Sequence, residues 1–172
     1  MSGLLFLSSD DFRVITGVKG NIMCTNIRGI SLILFYSSNC KYCKSLIPLF
    51  KGMPGKISGC QFGMINVDQN KNCVIMSRDT IAPIEFVPYI LLFIDGKPYM
   101  RYEGPYDQKE IVGFIIEVSK NFTKRNKNQQ HNQQHNQQPK RKSGTIPAYC
   151  TGIPICGEDN VCYLDFGKAY EK

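Results

Sequence analysis

Ile30-Ser-Leu-Ile-Leu-Phe-Tyr-Ser-Ser-Asn-Cys-Lys-Tyr-Cys-Lys44 decides how the rest of this 172-residue chain is read. Its apolar, β-branched and aromatic start, Ile30 to Tyr36, is a buried strand. Ser37, Ser38 and Asn39 break that strand and suit a turn followed by a helix N-cap. Cys40 and Cys43 then open a helix. The N-terminal end of a helix has unsatisfied N–H groups and partial positive charge, which stabilise a thiolate over a thiol. Lys41 and Lys44 add positive charge, so Lys41 is expected to tune the acidity of the pair. One helical turn separates the two sulfurs, close enough to bridge. The expected chemistry is that of a reactive dithiol.

Outward from this stretch, the hydrophobic pattern predicts an α/β domain. Leu4 to Leu7 reads as a short strand, and Ser8-Ser-Asp-Asp11 as the N-cap cluster of a helix near residues 11 to 20. The dithiol helix continues through Leu46, Ile47, Leu49 and Phe50, with Pro48 removing one backbone hydrogen bond inside it. Gln61 to Val67 is a second buried strand, and Cys73 to Arg78 a short helix. Tyr89 to Ile94 and Tyr99 to Tyr102 form a hairpin around Asp95-Gly96. Asp107 caps a last helix, with Ile111, Phe114, Ile115 and Val118 at helical spacing. The expected order is βαβαβαββα over about 120 residues, enough for one core.

These residues, from Leu4 to Phe122, resemble the thioredoxin superfamily. Leu4 to Phe12 is similar to the family's first strand and helix start, and Phe35-Tyr36 with Cys40-x-x-Cys43 and Pro48 to its active-site strand and kinked helix. Ile65-Asn-Val-Asp-Gln-Asn70 resembles the end of its central strand, and Phe86-Val-Pro-Tyr89 its cis-proline loop. The resemblance implies a thioredoxin fold, a central mixed sheet flanked by helices. It also implies that Pro88 is cis and lies against the dithiol, with the Val87 backbone free to pair with an extended substrate. The implied activity is thiol–disulfide exchange with protein substrates. Cys40 attacks a disulfide as thiolate and forms a mixed disulfide, and Cys43 resolves it. Run backwards, the same steps donate a disulfide. No cofactor or metal is implied.

The chain also departs from the family. Lys41 and Tyr42 replace the usual Gly-Pro, and added positive charge is expected to make the pair more oxidising. Asn39 stands where tryptophan is usual, and the chain has no tryptophan. Leu34 occupies the position of the family's buried acid and Met64 that of the acid's lysine partner. Losing both members of a buried polar pair avoids stranding one charge. It also removes an internal base, so proton transfer from Cys43 needs water or another group and resolution is expected to slow.

The remaining cysteines are weighed against plainer readings. A structural zinc site needs four ligands, commonly two C-x-x-C pairs, and no second pair exists. Cys24, Cys60 and Cys73 read as small buried hydrophobes. Cys73, after a loop, is the best candidate of the three for a regulatory thiol.

Beyond Phe122 the composition changes. Residues 123–145 read as a basic, Asn/Gln/His-rich disordered linker with almost no apolar residues to offset ordering entropy. Lys120 to Lys142 contains seven basic residues and no acid, which equals the whole net charge of +7; the rest of the chain balances. The basicity thus belongs to the tether, and nucleic-acid binding is not expected of the folded part. His131 and His135 belong to the repeat and carry little weight as ligands. Residues 146–172 read as a C-terminal docking segment too short for its own core. Its Cys150, Cys156 and Cys162 recur every six residues, either by coincidence, as metal ligands or as relay thiols. The tract and tail are similar in style to thioredoxin-like proteins of large cytoplasmic DNA viruses.

Four apolar residues after Met1-Ser-Gly3 make no signal-peptide core, and no run approaches a membrane span. An intracellular protein is expected, in host cytoplasm or virion if the viral resemblance holds, with mostly free thiols and no membrane partner. A thiol oxidase or a reductase would then be its redox partner. The alternative is a redox-inactive thioredoxin-fold interaction module that binds partners through its tail.

Overall fold

In the computed structural model, which describes residues 3–129 and 152–154, the run Ile30–Tyr36 is a central strand, β4, buried on both faces. Before it come β1 (Leu4–Phe6), β2 (Phe12–Gly17) and β3 (Gly20–Thr25). After it come α1 (Lys41–Lys51), β5 (Cys60–Asn66), α2 (Lys71–Ser77), β6 (Tyr89–Ile94), β7 (Lys97–Tyr102), α3 (Gln108–Gln129) and β8 (Gly152–Pro154). Six of the strands form one mixed sheet in the order β1-β5-β4-β6-β7-β8. β1, β5 and β4 run parallel, while β6, β7 and β8 add in antiparallel fashion.

Side chains alternate across a strand, and along β4 that alternation separates two cores. Leu32 and Leu34 point to one face, where they pack with Leu46 and Phe50 of α1 and with Ile111, Phe114, Ile115 and Val118 of α3. Ile33 and Phe35 point to the other, against Phe12, Met23 and Cys73. Burying both faces requires the near-continuous apolar sequence that β4 and β6 have.

The expected helix near residues 11 to 20 is not formed. Ser8 and Asp11 close on each other, the Ser8 N–H donating to Asp11 Oδ2 at 2.7 Å, and this cap serves only a single 3-10 turn at Ser9–Asp11. The chain then enters the antiparallel β2–β3 hairpin. The reason lies in Val14-Ile15-Thr16, three β-branched residues that favour extended backbone, followed by a Gly17-Val18-Lys19-Gly20 tip. The hairpin closes the second core through Phe12 and Met23. It is tied to the rest by Ile81 N–H to the Asn21 carbonyl at 2.9 Å and Thr25 N–H to the Gly96 carbonyl at 2.7 Å.

Elsewhere the expected elements form with ends moved by a few residues. α3 continues past Phe122 to Gln129, into the segment read as a linker. From the tail, Gly152–Pro154 lies along the edge of the sheet, with Arg101 opposite Ile153 and Tyr102 opposite Gly152. His131, His135, Lys140 to Lys142, Cys150, Cys156 and Cys162 lie outside the described residues. Among the described residues no helix is long and apolar enough to cross a membrane.

Candidate active site

β4 ends at Tyr36, and the next four residues form a tight loop that delivers Cys40 to the start of α1. The Ser37 carbonyl accepts the Cys40 N–H at 3.3 Å, and the Ser37 hydroxyl oxygen accepts the Asn39 N–H at 3.1 Å. Cys40 is the N-cap residue. Its sulfur accepts the Cys43 N–H at 3.2 Å, taking up one of the amides that a helix start leaves unpaired. The Cys40 thiol also faces the Val87 carbonyl at 3.5 Å, and the Val87–Pro88 peptide bond is cis. The Cys40–Cys43 turn and the Val87–Pro88 loop, which are far apart in sequence, are thus brought together. Lys41 is the exposed first residue of α1.

The two sulfurs differ in environment. Cys40 is partly exposed, whereas Cys43 is buried. Burial pushes the Cys43 thiol up to about 12, with smaller contributions from its hydrogen bond and charge interaction with Cys40 and from the Asp68 carboxylate. Only the Ser37 amide works in the opposite direction. Both cysteines are free thiols. The arrangement offers one accessible sulfur at a helix N-terminus and one protonated sulfur directly behind it.

The middle of the sheet is apolar. Leu34 and Met64 are register partners on β4 and β5, and Ile90 of β6 lies opposite Leu34; all three are buried. Cys24, Cys60 and Cys73 are buried as well. Cys73 does not fit a regulatory role: it is fully enclosed, its sulfur lies 3.8 Å from the Met23 sulfur, and burial pushes its thiol up to about 12. Among the described residues no group of three or more His, Cys, Asp or Glu side chains is placed to hold a metal ion.

Several residues around the dithiol were given no role by the sequence. Asp68 accepts the Ser37 hydroxyl at 2.9 Å and the Ser38 N–H at 2.8 Å, which fixes the loop before Cys40. Tyr106 donates its hydroxyl to the Pro88 carbonyl at 3.5 Å. Burial raises its hydroxyl, helped by the nearby Cys43 and Cys40 sulfurs. Phe86 is half exposed beside Val87, braced by the Tyr89 ring and by the Arg101 guanidinium 5.7 Å from its centroid. Asp68 and Phe86 lie in stretches that the resemblance singled out, whereas Tyr106 has no advance signal.

Comparison with known proteins agrees with this fold. The family model described as Thioredoxin matches residues 22–117. "Uncharacterized protein 196R" of Invertebrate iridescent virus 6 is 34% identical over 140 residues, covering 81% of this chain and 74% of that protein. "Uncharacterized protein 020R" of Invertebrate iridescent virus 3 is 29% identical over 175 residues, covering 98% and 96%. The protein named Thioredoxin from Chlamydia caviae is 29% identical over 96 residues, covering 53% of this chain and 84% of its own length.

Proposed function

Since this chain belongs to the thioredoxin family, we propose that it is a protein-disulfide oxidoreductase working through Cys40 and Cys43. One observation carries the reading. A partly exposed sulfur caps α1 at 3.2 Å from the Cys43 amide and 3.5 Å from the Val87 carbonyl, with a second, buried thiol one turn behind.

In the reducing direction, the Cys40 thiolate attacks one sulfur of a substrate disulfide. A Cys40–substrate bond forms, and the other substrate sulfur leaves as thiolate. Cys43 then loses its proton and attacks Cys40 Sγ, which forms Cys40–Cys43 and expels the second substrate sulfur. Two electrons pass from the dithiol to the substrate. The Val87 carbonyl, beside the reacting sulfur, is the backbone acceptor an extended substrate segment would meet. Lys41 sets added positive charge next to the reactive turn and biases the couple toward the oxidising side. The substrates are proteins with accessible disulfides or thiols.

The test is the reduction potential of the full chain, equilibrated in glutathione buffers with free thiols mass-tagged at Cys40 and Cys43. A two-electron transition near about −270 mV marks a reductant, and one between about −180 and −120 mV a disulfide donor. If no Cys40–Cys43 disulfide forms at any poise, the redox reading is wrong. Partners retained by Cys40→Ser would then establish the interaction module.

A further inference from the structure

Arg101 is a charged residue where an apolar one would fit. It lies in β7 between Leu91 of β6 and Ile153 of β8, on the face of the sheet where Leu91 joins the second core. Its side chain is only 22% exposed, and its Nε is buried without a hydrogen-bond partner among the described residues. The terminal Nη2 donates to the Glu103 carboxylate. An unmet buried N–H destabilises the fold, and an aliphatic side chain at this position would avoid it.

What the guanidinium holds is a pair of rings. Its carbon lies 5.7 Å from the Phe86 ring centroid and 5.6 Å from that of Tyr89, and the two rings meet edge to face 5.7 Å apart. Tyr89 is buried and meets Phe35 in turn at 5.9 Å, so the contact continues into the second core. Phe86, by contrast, is 50% exposed. Apolar packing fixes a ring by enclosing it. A cation on one side attracts the ring while the rest stays open to solvent. Phe86 therefore stands fixed and half uncovered, one residue before Val87, whose carbonyl is 3.5 Å from the Cys40 sulfur.

Resting on the oxidoreductase reading, we propose that Arg101 is a positioning residue for substrate selection: it holds Phe86 as an apolar contact for an aromatic or branched aliphatic side chain next to the reacting cysteine of a protein substrate. Where the substrate cysteine meets Cys40 beside the Val87 carbonyl, its chain neighbour meets the residue preceding Val87, which is Phe86. An apolar neighbour gains there by covering ring surface otherwise left in water, whereas a hydroxyl or charged one loses hydration. A ring fixed beforehand also loses little rotamer freedom on binding. Arg101 itself touches no substrate and takes no part in electron transfer.

The experiment mixes the reduced full chain with increasing amounts of either of two peptide disulfides. They differ only in the residue beside the reactive cysteine, Phe in one and Ser in the other. Single-turnover traces give a half-saturating concentration and a limiting rate for each peptide. The wild type should half-saturate at an about three- to tenfold lower concentration with the Phe peptide. Arg101→Leu should lose most of that preference by weakening the Phe peptide alone, with both limiting rates kept. Phe86→Ala should lose the same preference while leaving the Arg101–Glu103 pair in place, and the double variant should lose no more than either single one. An arginine that merely braced the fold would weaken both peptides alike or lower the limiting rates. A wild type without preference, a Phe86→Ala chain that keeps it, or an Arg101→Leu chain that keeps it, weakens both peptides equally or does not fold overturns the selection inference alone. A wild-type chain that exchanges with neither peptide overturns the oxidoreductase reading as well.

Discussion

At Cys60 and Cys73 a small side chain carries a large pH consequence. Burial raises both thiols from 9.0 to about 12. Below pH 9 the thiol is protonated whether the chain is folded or unfolded, so the stabilising effect is fully present. Between pH 9 and 12 the unfolded chain loses these protons while the folded chain keeps them, and stability falls. The hydroxyls of Tyr89 and Tyr102, also raised by burial, add to the loss in the same direction. Urea midpoints should accordingly drop steadily above pH 9, and less steeply in Cys73→Ala. An equal slope in that variant would mean Cys73 is not enclosed as described. The same logic at Cys43 governs chemistry instead of stability alone, because there the proton must leave during turnover.

At the scale of elements, the β6–β7 turn shows how one position joins two parts of the fold. Asp95 and Gly96 both have positive φ, 48° and 77°, the pairing that a two-residue hairpin requires. The Asp-Gly signal was readable in the sequence. What the signal could not show is that a Cβ on Gly96 would collide with the Thr25 carbonyl at the end of β3. Gly55 has a similar φ of 86° but open space around it. Gly55→Ala should therefore cost only the backbone term of about 1 to 2 kcal/mol. Gly96→Ala should exceed it by about 1 to 3 kcal/mol, because backbone has to move. Chemical denaturation of the two variants measures the difference; equal losses would mean that the hairpin does not press on this turn. The β2–β3 hairpin is masked in the sequence because the Ser8–Asp11 cap resembles a helix start, whereas β-branched residues and burial of Phe12 and Met23 decide the outcome.

At the scale of the whole molecule, β8 extends the sheet past its expected edge. An uncovered β7 would present a row of unpaired backbone groups to solvent, and pairing with Gly152–Pro154 covers part of it. Ile153→Pro in the full chain removes an N–H and restricts the backbone at the centre of that pairing. Hydrogen exchange at Met100 to Tyr102 should then accelerate while β4 and β5 remain protected. Unchanged exchange would mean that the edge pairing contributes no protection.

The sequence by itself determined the mixed α/β architecture, the strand-to-helix setting of Cys40 and Cys43, the apolar Leu34 and Met64, and the loop at Val87 and Pro88. The first three follow from local periodicity and turn chemistry written along the chain, and the loop from the resemblance that motif order carries. Only the tertiary structure decided that residues 12–25 form a hairpin, that Cys73 is sealed, that Asp68 braces the dithiol loop, and that Phe86 and Tyr106 flank it. Each of these depends on which distant residues come into contact and on how much water burial removes, and neither quantity is carried by any single stretch of sequence.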